Sequence, residues 1–193
     1  MPGTKDNSKK QFRIGRGALR GRVITFHPAP DLRPTLARVR EAVFSILAEN
    51  ATNHGFIDGC AGSGIMAMEA ASMGFDPIVC LETHALSLGQ IKANFAKLDH
   101  QALCVNRSIQ KLATLGLQAK PWILYMDPPY RHSELHRQIL TDLAIAPFFQ
   151  PGSIYIAESE NDAPEIIPAG WETWTRRKYG RAHLWFGIKT QVT

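Results

Sequence analysis

The stretch "FIDGCAGSGIMAMEAASM", residues 56–73, decides the fold, because its sequence pattern changes there from that of a strand to that of a helix. Residues 56–58 predict a short strand, and residues 64–73 predict a helix. The glycines between them allow a tight turn and a close approach of the backbone to a ligand. The turn is not G-x-G-x-x-G, lacks the G-K-[ST] of a P-loop, and does not place Ser63 in a G-x-S-x-G elbow. The turn therefore indicates a ligand site, but its sequence does not identify the ligand.

Strands and helices alternate on both sides of this stretch. Further strands are predicted at residues 77–82, 101–106, 121–127 and 152–159, and helices at residues 84–98, 108–115 and 132–145. A hairpin, an amphipathic helix and a pair of antiparallel strands are predicted at residues 12–26, 35–50 and 171–188. This order predicts an α/β fold with a mostly parallel sheet and helices on both faces. We expect one domain over residues 35–193, a small basic extension over 12–34 and a disordered tail over 1–11.

The composition narrows the class of protein. The chain has 193 residues, of which 45% are hydrophobic and 20% charged, as in an ordinary soluble domain. No apolar run approaches the length of a membrane span. Cys60, Cys80 and Cys104 form neither a disulfide framework nor a zinc motif. We expect a cytoplasmic protein with reduced cysteines, no metal and no membrane contact.

Basic residues are concentrated at one end of the chain. Residues 1–40 contain ten Lys or Arg and two Asp, whereas residues 41–193 contain twelve Lys or Arg and fifteen Asp or Glu. Arginine forks pair with phosphate oxygens, so this series favours a nucleic-acid partner over a merely solvated face. The arginines predicted to bind nucleic acid are Arg13, Arg16, Arg20, Arg22, Arg33 and Arg38. A second basic cluster fits nucleic-acid contact and solvent exposure equally well: Arg176, Arg177, Lys178 and Arg181.

A glycine-rich or polar segment follows each of the first four predicted parallel strands. These segments are residues 58–64, Glu82, residues 105–108 and residues 127–130. Ligands bind at the carboxyl ends of strands in open α/β sheets, and an acid at the position of Glu82 commonly accepts ribose hydroxyls. Proline donates no ladder hydrogen bond, so the strand ends at Asp127. The four segments together predict a nucleoside site.

Three of these segments, "FIDGCAGSG", "CLE" and "MDPPY", resemble class I S-adenosylmethionine-dependent methyltransferases that act on exocyclic amino groups. With "RIGRGALRGRVI", "LRPTLARVREAVFSIL" and "KYG", the resemblance extends over residues 12–187 to the RsmD family. It implies a Rossmann-like domain that uses S-adenosylmethionine to methylate N2 of a guanine in 16S ribosomal RNA. The implied substrate is this RNA or an assembling small ribosomal subunit, and the implied protein is a monomer.

The resemblance also implies which residues hold the cofactor. They are Asp58, Gly59, Cys60, Ala61, Gly62, Ser63, Gly64, Glu82, Ser108 and Asp127. The chain departs from the family where Gly59 and Cys60 replace a bulky apolar residue and a phenylalanine. Ser108 stands where the family has an aspartate near the adenine. We therefore expect Ser108 or backbone groups to bind the adenine ring.

The catalytic residues that the resemblance implies are Asp127, Pro128, Pro129 and Tyr130. The Asp127 carboxylate and the Pro128 carbonyl would accept hydrogen bonds from the target amino group. Pro129 would stiffen the backbone, and Tyr130 would stack on the extruded base. Two alternatives stay open: a DNA adenine-N6 methyltransferase, which shares the DPPY motif, and a non-catalytic protein that binds S-adenosylmethionine and RNA.

Overall fold

The computed structural model describes residues 9–27, 37–50, 53–127, 139, 142, 146–159 and 167–191. Its strands are β1 Lys10–Arg13, β2 Val23–Phe26, β3 Gly55–Asp58, β4 Ile78–Leu81, β5 Leu103–Val105, β6 Trp122–Met126, β7 Ile154–Ser159, β8 Trp171–Tyr179 and β9 Ala182–Lys189. Its helices are α1 Ala37–Ile46, α2 Ile65–Ser72 and α3 Ala85–Lys97, with 3-10 turns at Ala48–Asn50 and Ile109–Thr114. Most of the helix predicted at residues 132–145 lies outside the described residues, although Ile139 and Asp142 are helical.

Seven of the strands form one sheet in the order β5-β4-β3-β6-β7-β9-β8. Strands β3 to β7 are parallel, and β9 runs antiparallel to both β7 and β8. The predicted α/β fold with antiparallel strands at its C-terminal end is therefore confirmed. The carboxyl edge of the sheet is defined here as the side where β3 to β7 end, and the amino edge as the opposite side.

Both faces of the sheet are covered by apolar side chains. On one face, the rings of Phe44, Phe56 and Phe75 lie 5.8 to 6.3 Å apart and join α1 to the sheet. On the other face, Phe149 and Tyr155 pack on Trp171 at 5.7 and 5.5 Å. Two covered faces explain why the parallel strands are almost wholly apolar. None of the helices in the described ranges is long and apolar enough to cross a membrane.

Helix α2 is buried on every side. Its sequence, IMAMEAAS, is apolar around most of the circumference, so contact with the sheet alone cannot cover it. The β1–β2 hairpin covers its outer side. The Ala18 N–H donates to the Ser72 carbonyl oxygen at 2.7 Å, and the Leu19 N–H donates to Ser72 Oγ at 2.9 Å. The hairpin is thus part of the core, although its sequence suggested a separate extension.

The tip of this hairpin, residues 14–22, lies at the amino edge. Helices α2 and α3 each follow a parallel strand and return toward the start of the next one, so they end at that edge. The tip contacts Ser72 at the end of α2, and Arg22 donates to the Lys97 carbonyl oxygen at the end of α3 at 2.9 Å. One expectation is corrected here: Lys10 and Gln11, predicted in the disordered tail, are paired in β1.

A buried ion pair joins the hairpin, α1 and α2. Glu69 of α2 is 3% exposed, accepts the Gly15 N–H at 2.9 Å and lies 3.6 Å from Arg40 Nε. Burial lowers the pKa of Arg40, and the Glu69 carboxylate opposes that effect. The Arg40 guanidinium also lies over the Phe12 ring at 5.9 Å. Sequence reasoning did not single out this pair.

Two glycines of the hairpin tip provide a matched test of how the hairpin packs on α2. Gly17 and Gly21 both have positive φ, at 76° and 85°. A Cβ at Gly17 would overlap the Ser72 carbonyl group, whereas a Cβ at Gly21 would meet nothing within 4 Å. We expect Gly21→Ala to lower the free energy of unfolding by about 1–2 kcal/mol through backbone strain alone.

Gly17→Ala should cost about 2 kcal/mol more than Gly21→Ala, because the overlap also breaks the two hydrogen bonds to Ser72. Urea denaturation of both variants measures this difference. Equal losses of stability in the two variants would contradict the packing of the tip on α2.

Candidate active site

The carboxyl edge brings together the polar residues that follow four neighbouring strands. In sheet order they are Ser108 after β5, Glu82 after β4, Asp58 ending β3 and Asp127 after β6. Asp58 pairs in register with Cys80 and with Tyr125, so the residues that follow those two strands flank it. The structure therefore gathers these four predicted positions along one edge.

The glycine-rich turn is fixed between the two flanking strands. The Gly59 N–H donates to the Tyr125 carbonyl oxygen at 2.9 Å, and the Ala61 N–H donates to the Leu81 carbonyl oxygen at 2.9 Å. A Cβ at Gly59 would overlap Ile109 Cδ1, so the space that a larger residue needs is already filled here. Gly64 has a φ of 76°, and a Cβ there would lie 2.9 Å from Ile91 Cγ1. Both glycines are required by their surroundings.

Glu82 holds the same turn from the side of β4. One carboxylate oxygen accepts the Gly62 N–H at 2.7 Å, and the other accepts the His84 N–H at 2.7 Å. Each carboxylate oxygen can accept a second hydrogen bond, so Glu82 can still receive ribose hydroxyls. Glu82 thus shapes the turn as well as presenting an acid.

Asn106 supports the backbone next to Glu82. Its side-chain amide donates to the carbonyl oxygens of Glu82 at 2.8 Å and of Thr83 at 2.9 Å. This role was missed from the sequence, where only its place in a polar segment after a strand pointed to the site. Ser108 caps the following 3-10 turn, accepting the Gln110 N–H at 3.4 Å. Its hydroxyl is half-buried at the edge, where the family has an acid.

Asp58 is a buried acid that is only partly satisfied. The pKa of Asp58 is raised from 3.8 to about 7, chiefly by burial and also by the nearby charge of Glu82, while the N–H groups of Ala67 and Cys60 oppose the rise. Its Oδ2 has no hydrogen-bond partner among the described residues. An unpartnered buried carboxylate oxygen favours a ligand that brings positive charge or donors. The ammonium and sulfonium groups of S-adenosylmethionine have that chemistry.

Cys60 lies among the carboxylates of the site. The pKa of its thiol is raised to about 12, chiefly by burial and also by the charges of Asp58, Asp127 and Glu82. The Asp127 N–H donates to the Cys60 sulfur and opposes this rise. The effect of all three acids on one thiol shows that they converge at this edge. The thiol stays protonated at neutral pH and is therefore a weak nucleophile.

Most of the predicted RNA-binding arginines lie away from these acids. Arg13, Arg16, Arg20 and Arg22 belong to the hairpin near the amino edge, about 12 Å further along the sheet, which is the length of the eight-residue α2. Arg16 donates to Ser45 Oγ at 2.8 Å and Arg13 to the Gly21 carbonyl oxygen at 3.0 Å. Arg38, at the start of α1, packs on Gly180 beside the carboxyl edge.

Some of the predicted site residues lie outside the described residues: Arg33, Pro128, Pro129 and Tyr130. Within the described ranges, no three His, Cys, Asp or Glu side chains are grouped so that they could hold a metal ion.

Solved structures share this architecture. The Escherichia coli protein yhhF matches with a TM-score of 0.81 and 28% identity, over 94% of this chain and 99% of that chain. The Thermus thermophilus 16S rRNA N2 methyltransferase RsmC, solved in complex with AdoMet and guanosine, matches with a TM-score of 0.69 and 19% identity, over 95% of this chain and 50% of that chain. The fold is that of the class I methyltransferases.

Sequence relatives identify the family within that class. Residues 12–188 match the model of the family described as "Conserved hypothetical protein 95". Ribosomal RNA small subunit methyltransferase D of Haemophilus influenzae is 31% identical over 169 residues, which cover 86% of this chain and 87% of the relative. The chain belongs to this family, the RsmD family, and the resemblance found in the sequence is confirmed.

The raised pKa of Asp58 leads to a prediction about pH. The folded protein keeps a proton on Asp58 where the unfolded chain has lost it, so the ligand-free protein should lose stability as pH rises from about 4 to about 7. A cationic ligand favours the ionised form, so affinity for S-adenosylmethionine should increase as pH rises toward 7. Calorimetry across this pH range, with Asp58→Asn as the control, measures the effect. An equally steep rise in Asp58→Asn would contradict it.

Glu82→Ala should weaken binding of S-adenosylhomocysteine about tenfold or more, because a charge-assisted hydrogen bond to the ligand is worth roughly 1.5–3 kcal/mol. The Gly62 N–H would also lose its acceptor. Glu172→Ala, which removes an exposed acid from β8, is the matched control and should leave the affinity unchanged. Unchanged affinity in Glu82→Ala would remove Glu82 from the ligand site.

Proposed function

We propose that this protein transfers a methyl group from S-adenosylmethionine to the exocyclic N2 of a guanine in small-subunit ribosomal RNA. The observation that carries the proposal is the convergence of Asp58, Glu82 and Asp127 around one glycine-rich turn at the carboxyl edge. Membership of a family with relatives named ribosomal RNA small subunit methyltransferase D supports the choice of substrate.

The cofactor would be held by residues of three neighbouring strand ends. Glu82 would accept its ribose hydroxyls, and Asp58 would face its positive charge through the unpartnered Oδ2. The backbone of residues 59–64 would approach it closely, because Gly59 and Gly64 leave no room for side chains. Ser108 or backbone groups beside it would contact the adenine. S-adenosylmethionine supplies an electrophilic methyl group, so the remaining task for the protein is to prepare the nucleophile.

That nucleophile is a poor one, because the lone pair of the guanine amino group is delocalised into the ring. Acceptors aimed at the two N–H groups favour a pyramidal nitrogen and the positive charge that develops on it. Asp127 would supply one acceptor from the tip of β6, where its own N–H is already held by Cys60. From the sequence motif, the Pro128 carbonyl would supply the second and Tyr130 would stack on the base. Orientation of the nitrogen supplies much of the acceleration.

The substrate would be bound through its phosphates by the arginine series: Arg13, Arg16, Arg20, Arg22, Arg33 and Arg38. The resemblance implies a monomer, and we propose a monomer as the active unit. A ribosomal substrate would place the protein in the cytoplasm, where it would act on the RNA or on an assembling small subunit.

Nucleoside mass spectrometry tests this proposal directly. Ribosomal RNA from a strain that lacks the gene should lose one N2-methylguanosine, and the purified protein should restore it with S-adenosylmethionine. Methylation of adenine in duplex DNA instead would identify the alternative enzyme. Cofactor and RNA binding without methylation of either nucleic acid would identify a non-catalytic protein.

Asp127→Ala should abolish methyl transfer while affinity for S-adenosylhomocysteine stays within a few-fold, because the task of Asp127 is to orient the substrate nitrogen. Single-turnover assays at saturating RNA measure the chemical step, and calorimetry measures the affinity. The Cys60 contact uses the Asp127 backbone N–H, so it does not depend on the side chain that is removed. Wild-type turnover in the variant would contradict the assigned role.

A further inference from the structure

The turn between β8 and β9 lies at the same edge as the candidate active site. Ser159, the last residue of β7, pairs with His183 near the start of β9, and Tyr179 pairs with Ala182. The intervening Gly180 and Arg181 therefore project beyond the end of β7. Since β9 is two strands away from β6, this turn is about 10 Å along the edge from Asp127.

This end of the β8–β9 hairpin is strongly basic. Residues 176–183, RRKYGRAH, contain four Lys or Arg and no acid. Arg177, Lys178 and Arg181 are exposed. Arg177, Lys178 and His183 line one open groove of about 260 Å³, together with Arg176, Leu184 and Trp185. A concave surface with this charge favours a polyanion.

One wall of the groove is the aromatic ring of Trp185. The Arg176 guanidinium lies 4.1 Å from the centre of the Trp185 ring, a cation–π distance that holds the cation against the surface. Trp185 packs on the same side of the sheet as Trp122 and Trp171. Arg38 of α1 adds a further cation, because its guanidinium packs on Gly180 at the turn.

We propose that residues 176–183, together with Arg38, bind the phosphodiester backbone of the RNA strand that carries the target guanine. This inference rests on the proposed function and deepens it by assigning the RNA contact nearest to the chemistry. The phosphates next to an extruded base must pass close to the carboxyl edge. This basic cluster is beside that edge, whereas the tip of the N-terminal hairpin is at the opposite one.

Lys178→Ala/Arg181→Ala tests the surface, since both side chains are exposed. Lys92→Ala/Lys120→Ala is the control, because it removes the same charge from α3 and from the amino edge. Each protein is titrated with small-subunit ribosomal RNA at several salt concentrations, and its steady-state kinetics and thermal unfolding are measured. Phosphate contacts release counterions, so the salt dependence counts them.

We expect the Lys178→Ala/Arg181→Ala variant, called the hairpin variant below, to bind this RNA roughly three- to thirtyfold more weakly. The slope of its log affinity against log salt concentration should be lower by about one per lost contact. Its KM for RNA should rise by a similar factor, while kcat and S-adenosylhomocysteine affinity stay within about twofold. The control should match the wild type in all five quantities. Wild-type RNA affinity and salt slope in the Lys178→Ala/Arg181→Ala variant would overturn the inference.

The two proposals fail in different ways. An absence of guanine methylation by the wild-type protein would overturn the proposed function and, with it, this inference. Normal methylation by the hairpin variant, with unchanged KM for RNA, would overturn the inference and leave the proposed function standing.

Discussion

The fold depends on one buried carboxylate, Glu69. It lies in the middle of an otherwise apolar helix, where an unpaired charge would be strongly destabilising. Its partners, the Gly15 N–H and Arg40, come from the hairpin and from α1. To satisfy Glu69, both elements must pack on α2 and complete its burial. Helix α2 in turn begins at the glycine-rich turn, so this internal pair fixes the platform on which the candidate site is built.

Asp58 is a second buried carboxylate, but the protein does not compensate it as it compensates Glu69. Glu69 is compensated within the protein, whereas Asp58 is equally buried, keeps one oxygen without a partner among the described residues, and has its pKa raised to about 7. A protein that needed only stability would not retain such a group, because its ionised form opposes folding. The cost becomes useful if a cationic ligand supplies the missing interaction. The contrast assigns Glu69 to the stability of the fold and Asp58 to the candidate ligand site.

Much of the fold could be predicted because it follows from local patterns. Apolar strands alternating with helices specify the parallel sheet, and Asp58, Glu82 and Asp127 could be located because Asp58 ends a strand and the other two each follow one. The role of Arg40 could not be predicted, because a charged residue in an amphipathic helix is expected to be exposed. Its partner, Glu69, is distant in the sequence. The position of the hairpin arginines at the amino edge likewise depends on packing between segments far apart in the sequence.

The N-terminal hairpin and the end of the β8–β9 hairpin are both basic, but they differ in their position relative to the acids of the candidate site. Asp58, Glu82 and Asp127 make the carboxyl edge attractive to a cationic cofactor, but the same acids repel an approaching phosphate. Cations of the N-terminal hairpin lie toward the opposite edge of the sheet, about 12 Å away, so they can add affinity only by contacting other parts of the RNA. The end of the β8–β9 hairpin lies on the same edge as the three acids and has no acid among residues 176–183. Its cations can pair directly with phosphates that approach this edge, and such charge-assisted contacts offset the repulsion.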